Sequence, residues 1–316
     1  MDHAVSPTLL DTLRAQFGTR LRAGEPLSRH TSFRIGGPAD AWVEVDSTDE
    51  IRQVQRAAAD ADVPVFVLGG GTNLLVSDRG VRGIVIKLGR HFAAIDWRPN
   101  GSGTYVQAGA AVPFKKLVTA AADRGLTGLE FAEGIPGSLG GGLLMNAGAF
   151  GGEIAQVIEA IHGVDAATGA QRLARDALRF GYRHFDLPNG FIVSHLEFRL
   201  TAGDPEAVRT RMLANKRKRD VHQPLGLPNA GSIFKNPPGH YAGRLIEEVG
   251  LKGTRVGGAM VSEQHANFIV NMGGATAADV RALMAEISRR VWQEKHVRLE
   301  PEVRLVGEWH ESEDRR

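Results

Sequence analysis

The segment VPVFVLGGGTNLLV, Val63 to Val76, limits the fold more than any other stretch of this chain. An apolar run of strand length enters three consecutive glycines and leaves through Thr72 and Asn73 into a second apolar run. Glycine after a strand lets backbone N–H groups wrap a diphosphate at close range, and Thr72 and Asn73 add side-chain donors. A dinucleotide fingerprint of the G-x-G-x-x-G type would need glycine where Leu74 stands and a long helix where a strand-like run follows. The segment also lacks the Gly-Lys-Ser/Thr ending of an NTPase phosphate loop. The pattern keeps an α/β setting and argues against both of those nucleotide folds.

A second run, EGIPGSLGGGLLMNAGAFGGE from Glu133 to Glu153, is denser in glycine than turn geometry alone requires. It predicts close backbone approach to a flat or extended ligand. Its PGSLG resembles the G-x-S-x-G elbow of hydrolases. Pro136 replaces the first glycine, however, and no strand-turn-helix context is expected, so Ser138 is not read as a nucleophile.

Periodicity supplies the framework around these runs. Residues 1 to about 20 read as an amphipathic helix with Leu9, Leu10, Leu13 and Phe17 on one face. Ala41–Val45 reads as a strand, and Ser47 with Glu50 as a capping box for a helix bearing Ile51, Val54 and Ala58. VPVFV is expected to be a buried strand, followed by strands GIVIKL and TYVQAG, a helix from Pro113 to Asp123 and the alternating strand FIVSHLEFRL. Asp204 and Pro205 open a further helix. Another is expected around Tyr241–Val249, then the strand NFIVN. A long helix starts at Thr276, with Asp279 at the capping-box position and Val280, Leu283, Met284, Ile287 and Val291 on one face. PEVRLVG closes the chain as a strand.

With 316 residues, more than one domain is expected. The boundaries read as 1–88, 89–202, 203–300 and a terminal strand and tail at 301–316. A net charge of +2 gives no concentrated basic field for nucleic acid and leaves small anionic ligands as the better match. The absence of cysteine removes disulfides, thiolate metal sites and cysteinyl cofactor links, and no metal site is expected. No window has the length of a membrane span and the amino terminus has no apolar signal core, so a cytoplasmic protein is expected.

In PNAGSIFKNPPG, Pro228 to Gly239, Ser232 sits among turn-forming residues with Lys235 three positions on. On residue type alone the segment is better read as a plain turn, because Asn and Gly populate positive φ cheaply. NKRKRD, Asn215 to Asp220, reads as a solvated helix end, one or two of whose cations could face a diphosphate.

Taken together, HTSFRIGG (His30–Gly37), LGGGTNLLV, EGIPGSLGGGLLMNAGAFGGE, FGYRHF (Phe180–Phe185), NAGSIFKNP (Asn229–Pro237), GGAMVSEQHANFIVN (Gly257–Asn271) and LEPEVRLVG (Leu299–Gly307) resemble the UDP-N-acetylenolpyruvoylglucosamine reductase family. The resemblance runs in one order from about residue 20 to 307. It implies an α+β protein with an FAD-binding fold of the vanillyl-alcohol-oxidase type in two α/β subdomains, plus a C-terminal α+β substrate-binding domain. It also implies noncovalent FAD, NADPH as co-substrate and a UDP-sugar substrate, in a monomer or weak oligomer that binds neither nucleic acid nor membrane.

The cofactor residues it implies are Gly69, Gly70, Gly71, Thr72, Asn73, Leu74, Gly134, Ile135, Pro136, Gly137, Ser138, Gly140, Gly141, Asn146, Gly148 and Ala149. The catalytic residues are Ser232 as proton donor, with Arg183 and Glu302 at the developing enolate. Tyr182, Lys235, Asn236, Lys252, His265 and Asn267 are implied substrate contacts. Read from pattern alone, Arg183 is better taken as a surface cation and Glu302 as an exposed strand residue. Too few residues separate Arg183 from Ser232 for the extra tyrosine loop of the longer enzymes, so the chain resembles the shorter subtype. A sugar or alcohol oxidase on the same flavin fold is the alternative enzyme reading, and a noncatalytic flavin- or nucleotide-sugar-binding protein the nonenzymatic one.

Overall fold

The computed structural model describes residues 4–101, 103–224 and 226–309. Residues 1–3 of the expected first helix and 310–316 of the expected tail lie outside that set. Contacts divide the chain into two units, each assembled from separated segments. One comprises Met1–Arg22, Ala41–Gly70 and Gly83–Arg219, the other Ala23–Asp40, Gly71–Arg82 and Asp220–Arg316. These lines differ from the linear segments drawn along the sequence. The helix Pro205–His222, for example, belongs to the first unit as far as Arg219.

The first unit opens with the helix Pro7–Phe17, capped by Ser6, with Leu9, Leu13 and Phe17 buried. The helix Thr48–Asp60 buries Ile51, Val54 and Ala58 as expected. Its start is only half a capping box. Ser47 Oγ accepts the Glu50 amide, but the Glu50 carboxylate accepts from the Asp46 amide and pairs with Arg20 at 2.6 Å. Val65–Val67 pairs in parallel with Val81–Leu88 and is half-buried, not fully buried as expected.

A larger antiparallel sheet runs in the order Gly169–Ala174, Ile158–Asp165, Ile192–Ala202, Gly103–Gly109, Ile95–Asn100. Its first two strands form a hairpin that the sequence pattern did not single out. Along Ile192–Ala202, Leu196, Phe198 and Leu200 point into the core, while Glu197 and Arg199 take the other face. The helix Phe114–Ala122 buries Phe114, Leu117 and Val118 in the same core.

In the second unit, Arg255–Val256, Ala259–Val261 and Ile269–Asn271 form an antiparallel sheet. The helix Ala277–Lys295 begins with the full Thr276/Asp279 capping box and buries all five expected residues of its apolar face. Two further amides of its first turn are taken by the carboxylate of Asp78, at 2.9 and 3.0 Å. The carboxylate is well placed there, at the positive end of the helix dipole. Ala242–Glu248 packs into the same core, and Arg304–Val306 pairs in parallel with Leu74–Val76. No helix of the described residues is long and apolar enough to cross a membrane.

Candidate active site

In the first unit the two glycine runs touch backbone to backbone. A Cβ on Gly70 would lie 2.6 Å from Gly137 Cα, and one on Gly69 2.6 Å from Ser138 Oγ. Lys87 Nζ donates to the Gly69 carbonyl at 2.6 Å, and burial pushes that ammonium below its ordinary pKa. Contrary to expectation, a short helix, Leu139–Leu144, follows Ser138. Ser138 is its N-cap, with Oγ accepting the Gly141 amide, so the hydroxyl serves the helix end.

Most glycines of the second run answer to the protein itself. Gly134, Gly137 and Gly151 have left-handed φ, and Gly140, Gly142, Gly148 and Gly152 each have another residue within 3.3 Å of where a Cβ would sit. Gly141 alone has neither constraint, its nearest neighbour being Ser138 Oγ at 3.5 Å. The surface beside Gly141 is where something outside the protein can come close. This cradle of glycine backbone suits an extended anionic cofactor such as FAD. Ile135 packs partly buried against the core, next to Pro136. Gly148 and Ala149 pair with Glu153 and Gly152 in a short ladder.

Asn146, 1% exposed, spends its side chain on structure. Its Nδ2 donates to the Gly181 carbonyl and its Oδ1 accepts the Ala155 amide. Gly181 belongs to the hairpin Phe180–Gly181/His184–Phe185, whose turn is Tyr182-Arg183. Phe180 and Phe185 stack at 4.6 Å beneath it. The turn holds Arg183 at φ +55°, a left-handed conformation that strains a long side chain, with its guanidinium over the exposed Tyr182 ring.

Of the basic run at 216–219, Arg219 is the inward member. Its Nε is buried without a hydrogen-bond partner among the described residues, its Cδ fills the space a Cβ on Gly134 would need, and it lies over Phe150. Burial pushes its pKa down, Glu133 opposes that, and the charge of Arg183 adds to it. Such a guanidinium is suited to an anion.

In the second unit, Gly71 passes under the His30 carbonyl, where a Cβ would lie 2.1 Å from that oxygen. Gly71 O accepts the Ser32 amide at 3.0 Å. Thr72 follows. Asn73 Nδ2 donates to the Glu302 carbonyl at 3.1 Å, and Asn73 O accepts the Arg304 amide as Leu74 enters its strand. The Glu302 amide donates to Ile233 O at 2.8 Å, so the backbones at Ser232 and Glu302 run side by side.

Ser232 occupies a turn in which Gly231, at φ +76°, donates to Asn229 Oδ1. Beyond it, Asn267 clamps Phe234 with its buried amide, accepting the Phe234 N–H at 3.0 Å and donating to the Phe234 carbonyl at 2.8 Å. Among the described residues no hydrogen bond engages Ser232 Oγ. Lys235 Nζ pairs with Glu300. Asn236 Oδ1 accepts the Ala242 amide at the start of a helix, and Lys252 pairs with Glu247. His265 packs edge-on against Phe268, its Nδ1 accepts the Asn267 amide, and burial lowers its pKa.

The structure thus gathers Ser232, Glu302, Asn73, Lys235 and Asn267 in one unit, and Tyr182, Arg183, Asn146 and the second glycine run in the other. Sequence reading missed Ser32 and Lys87, whose contacts are 197 and 18 positions away.

A model of the UDP-N-acetylenolpyruvoylglucosamine reductase C-terminal domain matches residues 223–306, and one of an FAD binding domain matches 39–174. The chain is 49% identical to UDP-N-acetylenolpyruvoylglucosamine reductase 2 of Symbiobacterium thermophilum, over 91% of this chain and 92% of that protein. It is 45% identical to the Geobacter metallireducens reductase, over 94% and 97%. The crystal structure of the Thermus caldophilus reductase superposes with a TM-score of 0.78 at 39% identity, covering 90% of this chain and 99% of that one.

Proposed function

The chain belongs to the UDP-N-acetylenolpyruvoylglucosamine reductase family, and on that premise we propose that it uses FAD and NADPH to reduce UDP-N-acetylglucosamine enolpyruvate to UDP-N-acetylmuramate for peptidoglycan synthesis. FAD, when bound, accepts two electrons from NADPH and passes them as hydride to the methylene carbon of the enol ether. The chain's own residues manage charge and protons around that transfer. Residues 1–88 and 89–202 serve as cofactor-binding subdomains and 203–300 as the substrate-binding domain. Gly69–Leu74 and Gly134–Ala149 would hold FAD without a covalent link, in a cytoplasmic monomer or weak oligomer.

Hydride addition leaves negative charge spread over the adjacent carbon and its carboxylate. Arg183 offsets that charge, and Glu302 assists it at the developing enolate. Ser232 then delivers its hydroxyl proton to the carbon bearing the carboxylate and recovers it from solvent. Arg219 holds a phosphate of the cofactor or substrate. Tyr182, Lys235 and Lys252 contact substrate with side chains that reach the surface, His265 offers a neutral imidazole, and Asn236 and Asn267 shape the pocket through the backbone they hold. The observation that carries the reading is Ser232, an uncommitted hydroxyl on a turn pinned beside Glu302.

The test is anaerobic. Purified protein should be yellow and release its flavin on acid precipitation. NADPH should bleach it, and the enolpyruvyl substrate should restore the colour with formation of UDP-N-acetylmuramate. Bleached protein that the substrate leaves unchanged would refute the reading.

A further inference from the structure

Ser32 lies in the loop of HTSFRIGG, and its hydrogen bonds lead in two directions. Its amide donates to Gly71 O at 3.0 Å, and its hydroxyl donates to Asn229 O at 2.6 Å and, at 3.4 Å, to Gly71 O as well. Gly71 belongs to the glycine loop, and Asn229 opens the turn that ends at Ser232. We propose that Ser32 is a positioning residue that sets the Ser232 turn in register with the glycine loop. The inference rests on the reductase reading above.

The loop bearing Ser32 is itself rigid. Phe33 beside it is fully buried and its carbonyl accepts from Asn271 Nδ2, while Thr31 Oγ1 donates to Ile35 O. The chain after Ser232 is equally fixed, because Ile233 and Phe234 are buried and bonded to Asn267 and Glu302. Just before Ser232 the turn is held from the sheet side, by the Asn271 amide on Pro228 O and by the buried Ala230. At Gly231 a Cβ would meet nothing within 4 Å, and the Asn229 side chain bonds within its own segment, to Leu227 O and Pro224 O. Asn229 also bridges to Val270, which ties it to the second unit's sheet but not to the glycine loop. Ser32 supplies that second reference.

A hydrogen bond at an exposed serine adds little to overall stability, so its loss shifts the turn and leaves the fold. The donor's alignment is far more sensitive. A misplacement of about 1 Å at a reacting group slows the chemical step by about 10²-fold.

The experiment compares Ser32→Ala and Ser32→Thr with wild-type holoenzyme. Ser32→Ala should be reduced by NADPH within about twofold of the wild-type rate and be reoxidised by the enolpyruvyl substrate about 10–100-fold more slowly, with solvent deuterium entering the protonated carbon less stereospecifically. Ser32→Thr, which keeps the hydroxyl, should recover both rate and stereochemistry. In the apoproteins, amide hydrogen exchange across residues 228–232 should rise in Ser32→Ala alone. Unchanged exchange, equal slowing of both half-reactions, or failure of threonine to rescue would each overturn the proposal. A wild-type enzyme that the substrate does not reoxidise would instead overturn the reductase reading, and the exchange measurement would still judge the Ser32 tie.

Discussion

Gly141→Ala separates what this protein needs from what a ligand needs. Gly141 lies inside the helix Leu139–Leu144 with ordinary helical backbone, and a Cβ there would meet only Ser138 Oγ at 3.5 Å. Alanine is preferred over glycine in a helix by up to about 1 kcal/mol, and in a short first-turn setting roughly half of that is expected. The apoprotein should therefore gain about 0.5 kcal/mol, raising its Tm by about 1–2 °C. A bound diphosphate at this backbone would meet the new methyl and be pushed off its amide donors. Charge-assisted bonds of this kind contribute about 1.5–3 kcal/mol each, so losing one weakens FAD binding by about 10- to 100-fold. The two measurements should move in opposite directions, with the melting temperature of the apoprotein rising and its affinity for FAD, by titration of flavin fluorescence, falling. Unchanged FAD affinity would show that nothing approaches Gly141, and a lower apoprotein Tm would show that the helix has no room for the methyl.

Other expectations follow from the same geometry. Arg183→Gly and Arg183→Ala should both slow the substrate half-reaction by about 10²-fold or more while flavin reduction continues. The glycine variant should be the more stable by about 1 kcal/mol in urea denaturation, because φ +55° strains any side chain; equal stability would remove the strain argument. Ser232→Ala should leave FAD binding intact and slow substrate reduction by about 10²–10⁴-fold, and near wild-type turnover with unchanged stereochemistry would make the serine a turn residue only. Burial, with the neighbouring His162, holds the His195 imidazole below its ordinary 6.5. The unfolded chain then binds a proton that the folded chain refuses, so this contribution is complete above about pH 6.5 and is lost as pH falls toward the lower folded value. His195→Gln should reduce the loss of urea stability between pH 7.5 and 5.5; an equal loss in variant and wild type would assign it elsewhere.

Features written in adjacent residues were legible. Thr276 and Asp279 lie within one turn of each other, and both halves of their capping box form. Ser47 and Glu50 have the same spacing, yet Arg20, 30 positions from Glu50, takes the carboxylate. A local pattern cannot announce such a rival. The short helix after Ser138 was hidden by Gly140, Gly141 and Gly142, which have poor helix propensity and are selected here by crowding and close approach. The density of that glycine run pointed toward a ligand, but much of it serves packing against Ala110, Phe114 and Phe131. Ser232 and Glu302 were visible only through their motif blocks. What fastens their backbones together runs through Asn73, Ile233 and Ser32, pairings that depend on chain crossings and leave no periodic trace.

The strand Leu74–Val76 has as its partner Arg304–Val306, and Asn73 reaches Glu302 across 229 positions. During synthesis at roughly 5–20 residues per second, that edge waits on the order of tens of seconds for its mate. Over that time Leu74, Leu75 and Val76 offer an apolar strand edge to any other nascent chain. Loop closure over such a span is also the slow kind of contact to make. The same crossing that brings the glycine loop to Glu302 therefore leaves that edge of the newborn chain open until Arg304–Val306 have emerged, and a protein shortened just before Arg304 would carry the open edge permanently.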